Sequence, residues 1–106
     1  MVRRGEVWWY EHPQAGRRPF LILTRDEAIA VLQQVLAVPA TRTIREIPTE
    51  VVVGPADGMP EACCLTLDNL TVIRRALCVE RITQLSTERM REVCTALALA
   101  TACGDG

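Results

Sequence analysis

At 106 residues the chain has room for one domain and too little for two, so residues 1–106 are read as a single unit. A domain of this size buries roughly 60–70% of the surface its unfolded chain exposes, which predicts one core, shallow sites and oligomer interfaces rather than a deep private cleft. Apolar residues make up 49%, yet no stretch approaches the roughly 20 needed to cross a bilayer, and Met1-Val2-Arg3-Arg4-Gly5-Glu6 meets an acid where a signal peptide would be continuously apolar. A cytoplasmic protein without membrane association is the expectation.

Net charge is −1, which discourages a nucleic-acid reading until its distribution is examined. Residues 1–45 carry seven Arg against four acids, a balance of +3, and residues 46–106 carry five Arg against nine acids, a balance of −4. All twelve basic residues are Arg, each a planar fork matched to phosphate. The five cysteines (Cys63, Cys64, Cys78, Cys94, Cys103) are odd in number and show no CxxC or Cys/His spacing. They are read as reduced, small apolar residues, with no metal site expected.

In chain order, Gly5 to Tyr10 reads as a strand with Val7 and Trp9 on one face and Trp8 and Tyr10 on the other. Pro13 to Arg17 is a loop, and Arg18 to Thr24 a second strand with Pro19 at its start. Arg25 to Gln34 predicts a turn of helix. Val35 to Val38 is a third strand ended by Pro39, followed by a polar loop or hairpin limb from Ala40 to Ile47. Pro48 to Val53 gives a fourth strand, and Gly54 to Pro60, dense in Gly and Pro, is a loop. Cys63 to Leu67 is a fifth strand, with weaker strand signals at Leu70–Ile73 and Cys78–Ile82. Ser86 is placed as an N-cap, with Glu88 in the first turn of a helix running from Thr87 to about Cys103. Met90, Val93, Cys94, Leu97 and Thr101 form its stripe. Short strands followed by one terminal helix predict an α+β domain: a small β-barrel or curled antiparallel sheet with a C-terminal helix.

Several segments, in order, resemble one family. Arg3-Arg4-Gly5-Glu6-Val7-Trp8 resembles the opening of the MazF/PemK-type toxin endoribonucleases (mRNA interferases), and the run from Arg18 to Asp26 resembles their second strand. Val38 to Val51 resembles their Thr-rich signature, Leu67-Asp68-Asn69-Leu70 their Asp-Asn piece, and Arg81-Ile82, Leu85-Ser86 and Arg89-Met90 their closing stretch. Each piece alone is weak, and the ordered set covers nearly the whole chain.

The resemblance implies an SH3-like barrel that forms a homodimer and cuts single-stranded RNA at short motifs without metal or cofactor. It also implies a cognate MazE-like antitoxin that covers the RNA groove. Residue by residue, it places Arg18 and Thr41 as the catalytic pair. Apart from the resemblance, Arg17, Arg25, Arg42 and Arg45 are read as phosphate-positioning or simply solvated side chains, and with Thr43 they make up the candidate RNA-binding set. RNA supplies its own nucleophile, the 2′-OH, so the residues must stabilise charge on phosphorus and let protons move. A guanidinium is a poor proton carrier. Arg18 is therefore read as an electrostatic clamp, with protons moving through Thr41 or water. His12, the only imidazole, is the rival acid–base, although the family motif has no catalytic His there. One ring among Trp8, Trp9, Tyr10 and Phe20 could stack an unpaired base, with at least two of the four in the core. Asp68 and Asn69 are read as structural.

Two other readings stand beside the nuclease: a toxin of the same fold that poisons a protein target in the manner of the CcdB gyrase poisons, and an inactive module that only binds antitoxin. The first requires a dispensable Arg18 and Thr41 and an active C-terminal tail. The tail here, Ala102 to Gly106, lacks the aromatic residue of those poisons.

Overall fold

The structure, a computed structural model, describes residues 1–103; Gly104–Gly106, the end of the tail just named, lie outside the described residues. Strands β1 (Glu6–His12) and β2 (Gly16–Ile22) form an antiparallel hairpin closed by the His12–Gly16 pair. Both run into its turn two residues further than the apolar run, because the pairing extends through polar Glu11 and Arg17. A single helical turn, α1 (Asp26–Ile29), leads to β3 (Gln34–Thr41). Four strands follow: β4 (Glu50–Val53), β5 (Cys63–Thr66), β6 (Thr71–Arg74) and β7 (Cys78–Gln84). The terminal helix, α2, spans Thr87–Thr101.

All pairings are antiparallel, in the order β4-β5-β3-β2-β1-β7, with β6 on the first half of β3. The sheet is not closed: β4 and β7 are its ends. The α+β class with a C-terminal helix stands, as an open sheet rather than a closed barrel. Alternation along the strands packs both faces, so the single core expected from length becomes two clusters. On one face Val7, Leu21, Val38, Val51 and Leu65 meet Val93 and Ala96 of α2. On the other, Tyr10, Phe20, Ile22, Val35 and Ile73 meet Ile29 of α1.

Pro39 does not end β3. It lies within the strand, opposite Phe20 of β2. Leu23 N–H donates to Leu36 O, and by the antiparallel alternation Val38 N–H faces β2 while the nitrogen of Pro39 faces the other edge. On that edge β6 pairs only as far as Ala37 and β5 begins at Ala40, so no ladder bond is lost at Pro39. The sequence alone cannot show this handover between two partners.

Ser86 caps α2, its Oγ accepting the N–H of Arg89 at 3.1 Å. The helix stripe is shifted from the sequence expectation: Val93 and Ala96 are buried, with Met90, Leu97 and Ala100 packed beside them, while Cys94 and Thr101 are exposed. Cys94 instead faces the Arg4 guanidinium, 3.5 Å from Nη2 to sulfur. The small-apolar reading of the cysteines holds for Cys63, Cys64 and half-buried Cys78, not for exposed Cys94 and Cys103. Burial pushes the Cys78 thiol up to about 11. Among the described residues, Leu99 is the one large apolar side chain exposed on α2, and a larger group, Val31, Leu32, Leu36 and Val72, lies around β3 and β6.

The Gly54–Pro60 loop contains one 3-10 turn (Pro55–Asp57) and is fastened to β7 and α2. Thr83 Oγ1 donates to Asp57 O at 2.9 Å, and Gly58, at φ +92°, lies so close that an added Cβ would stand 2.2 Å from that same Oγ1. Gly58→Ala combines left-handed strain with a steric clash and is expected to cost about 3 kcal/mol or more. Urea denaturation checks this; a loss under about 1 kcal/mol would show that the turn shifts freely.

Candidate active site

The register between β2 and β3 pairs Phe20 with Pro39 and Leu21 with Val38. The ladder ends at Phe20 and Pro39, and beyond it the same alternation puts Arg18, the third residue of β2, and Thr41, the last of β3, on one face of the sheet. Both residues line a cleft of about 380 Å³. Its floor is the rim of the first core, through Ala40, Met59 and Cys63, and its far wall is the loop residues Met59-Pro60-Glu61. Residues of the opposite alternation, Trp9, Arg17 and Pro19, complete it, so the cleft opens where the two faces meet.

Three guanidiniums line this cleft, and they differ in company. Arg17 is ion-paired with Glu80 at 2.9 Å and lies over the Trp9 ring at 5.2 Å from its centroid. Arg42 is ion-paired with Glu61 at 3.1 Å. Arg18 has no hydrogen-bonding or ion-pair partner among the described residues. A free planar fork at the mouth of a cleft is a ready site for a phosphate oxygen pair. Beside it, Thr41 Oγ1 accepts the N–H of Thr43 at 3.2 Å. That bond fixes the oxygen and leaves the hydroxyl proton available to a ligand in the cleft.

The other residues expected at an RNA site fall outside this lining. Arg25 precedes α1 at its N-terminus, and Arg45 is held by Glu50, through its backbone N–H at 3.0 Å and its Nε at 3.1 Å. These contacts hold the Glu50 carboxyl below the usual range, the Arg45 backbone N–H first among them and burial opposing it. Thr43 contributes backbone: its N–H orients Thr41, and its carbonyl accepts the Cys64 thiol at 3.3 Å. His12 lines a separate hollow with Tyr10, Pro13, Gln14, Arg74 and Leu77. Its Nδ1 accepts the N–H groups of Gln14 and Ala15 at 3.0 and 3.1 Å, which makes it a turn-closing residue. Asp68 likewise acts structurally, accepting Thr49 Oγ1 at 2.6 Å.

Sequence reasoning did not place the Met59–Glu61 wall, Cys63 or the two carboxylates, and left the exposed ring undecided. Tyr10 and Phe20 are core, edge to face at 5.2 Å; Trp8 packs on the second cluster with its Nε1 donating to Glu6; Trp9 is the ring in the cleft. The Gly/Pro density of residues 54–60 was the one local signal, since such loops on a rigid sheet carry sites. Cys63 is buried, and burial first, then the neighbouring Cys64, Glu61 and Asp57, push its thiol up, away from the thiolate a nucleophile needs.

The wall is held by Arg89 of α2, whose Nε donates to Asp57 Oδ1 at 2.8 Å and Nη2 to Oδ2 at 3.4 Å. Arg89 therefore holds the Asp57 carboxyl below the usual range, with burial opposing it and Gly54 N–H assisting. Because the folded-state pKa is depressed, this stabilisation is fully present above the ordinary carboxylate value and is lost as pH falls through the depressed one, below about pH 4. The stability lost in Arg89→Ala relative to wild type is expected to be full near neutral pH and to shrink as pH falls below about 4. Urea midpoints measured from pH 6 downward test this; a difference that stays constant with pH would contradict it.

Against known proteins, the sequence matches the family described as "PemK-like, MazF-like toxin of type II toxin-antitoxin system" over residues 3–101. A Mycobacterium tuberculosis protein named "Probable endoribonuclease MazF5" is 44% identical over 101 residues, covering 94% of this chain and 93% of that one. A mycobacterial endoribonuclease solved in complex with its cognate antitoxin superposes with a TM-score of 0.86 at 27% identity, covering 96% of each chain. The M. tuberculosis toxin MazF-mt6 gives 0.84 at 26% identity, over 92% of this chain and 96% of that one. The chain belongs to the PemK-like, MazF-like toxins of type II toxin–antitoxin systems.

Proposed function

We propose that the cleft between the ends of β2 and β3 is the catalytic centre of this endoribonuclease toxin, and that it cuts single-stranded RNA by attack of the 2′-OH on the adjacent phosphorus. The 2′-O–P bond forms as the P–O5′ bond breaks, leaving a 2′,3′-cyclic phosphate and a 5′-hydroxyl. One proton leaves the 2′-OH and one arrives at O5′. Arg18 clamps two non-bridging oxygens and offsets the charge that grows on them, a pre-arranged electrostatic role. Thr41 donates its hydroxyl to the same phosphate and passes protons with water. No step requires a metal or a cofactor. Arg17 and Arg42 hold flanking phosphates once these displace Glu80 and Glu61, both exposed partners in weak surface pairs. Arg25, Thr43 and Arg45 act at most along the outer path of the strand.

The observation that carries this reading is that the Arg18 guanidinium, without a partner among the described residues, and the oriented Thr41 hydroxyl line one cleft. A homodimer is part of the proposal, supported by the exposed Leu36–Val72 cross-strand pair with Val31 and Leu32 exposed nearby, an apolar group that an isologous contact would cover. A cognate MazE-like antitoxin is the proposed protein partner, supported by the antitoxin complex of the similar mycobacterial enzyme. No helix among the described residues is long and apolar enough to cross a membrane, in keeping with a cytoplasmic site of action.

Incubation of the purified protein with a long single-stranded RNA in EDTA is expected to give discrete cuts with 5′-hydroxyl ends. Arg18→Ala and Thr41→Ala are each expected to lower the rate by about 10²–10³-fold, the usual cost of removing one transition-state donor. A folded Arg18→Ala protein that cuts at the wild-type rate would overturn the assignment.

A further inference from the structure

The cleft holds one feature that phosphate chemistry leaves unexplained. Trp9 is flanked across the sheet by Pro19 of β2 and Glu80 of β7, and Arg17 lies two residues from Pro19 on the same face. The guanidinium of Arg17 thus covers the indole face while its Nη2 reaches Glu80 Oε1. A bulge in β7 makes this possible: the register shifts between Trp9 and Tyr10, so Glu80 rather than Val79 stands opposite the ring. An indole bordering a cleft, next to a phosphate clamp, is a surface every unpaired base can stack on.

We infer that Trp9 is a nucleobase-binding subsite, covered in the free protein by Arg17 and latched by Glu80. The inference rests on the nuclease reading above. A base of the bound strand takes the place of the guanidinium on the ring, and Arg17 turns to an adjacent phosphate. The latch is weak enough to open, because Arg17 and Glu80 are 46% and 65% exposed and a pair of that kind shifts an equilibrium by no more than about fivefold. Glu80 therefore sets how readily the subsite opens, and Trp9 sets which nucleotide position along the strand is held by stacking.

The test uses an uncleavable 2′-O-methyl oligonucleotide and a Trp8→Phe background, in which Trp9 is the only indole. Saturable quenching of Trp9 fluorescence is expected, and removing the base at one position of the oligonucleotide is expected to weaken binding by about 5- to 150-fold and abolish the quench. In Trp9→Ala the same abasic change is expected to have no further effect, and Trp9→Phe is expected to restore most of the affinity. Glu80→Gln is expected to tighten binding by about two- to fivefold. A quench insensitive to base removal at every position, or undiminished binding by folded Trp9→Ala, would overturn the subsite while Arg18-dependent cleavage persisted. Loss of all RNA binding and cleavage in wild-type protein would instead sink the nuclease reading itself.

Discussion

The pairing of β2 with β3 is the constraint on which the cleft depends. Leu21 and Val38 form one pair of this ladder, and both are fully buried in the first core. A slip of one residue would turn every apolar side chain of β2 to the wrong face, so the register is fixed by burial and not by the polar residues at its end. Arg18 and Thr41 inherit their positions from that buried pairing. Both side chains thereby line one cleft, which leaves the Arg18 fork and the Thr41 hydroxyl proton open to a ligand.

Electrostatics then separates three chemically identical side chains. Arg17 and Arg42 have carboxylate partners, Glu80 and Glu61, and Arg18 has none among the described residues. Solvent-exposed pairs contribute little to stability, so Glu61 and Glu80 matter less for the fold than for the potential of the cleft. They damp a positive surface in a chain whose net charge is only −1 and leave one guanidinium at full strength. The Arg89–Asp57 pair is different in kind, because it is partly buried and doubly hydrogen-bonded, and it ties the cleft wall to the terminal helix.

Much of this fold is legible in local pattern. Alternation gives β1 and its two faces, and the Ser86 cap with the acid at Glu88 gives the start of α2. What depends on partners is not legible. Pro39 looks like a terminator until the edge it faces proves to be vacant between β6 and β5, and Cys94 looks like a core residue until α2 seats on Val93 and Ala96. The same limit governs the site. Arg18 and Thr41 can be named because ordered motifs resemble a known family. Glu80, Glu61 and the Met59–Glu61 wall come from 40 or more residues away from Arg18 and depend on a bulge and a pinned loop that no periodicity encodes.

The central claim is that the Arg18 fork, without a partner among the described residues, holds the reacting phosphate. The single-turnover cleavage rate of Arg18→Lys tests it most directly, since lysine keeps the charge and gives up the paired donors. Loss of one charge-assisted hydrogen bond in the transition state corresponds to a rate lowered by about tenfold or more, with RNA affinity largely kept. A wild-type rate in the lysine variant would contradict the account, because a point charge would then suffice and the planar geometry set by the β2–β3 register would have no catalytic meaning.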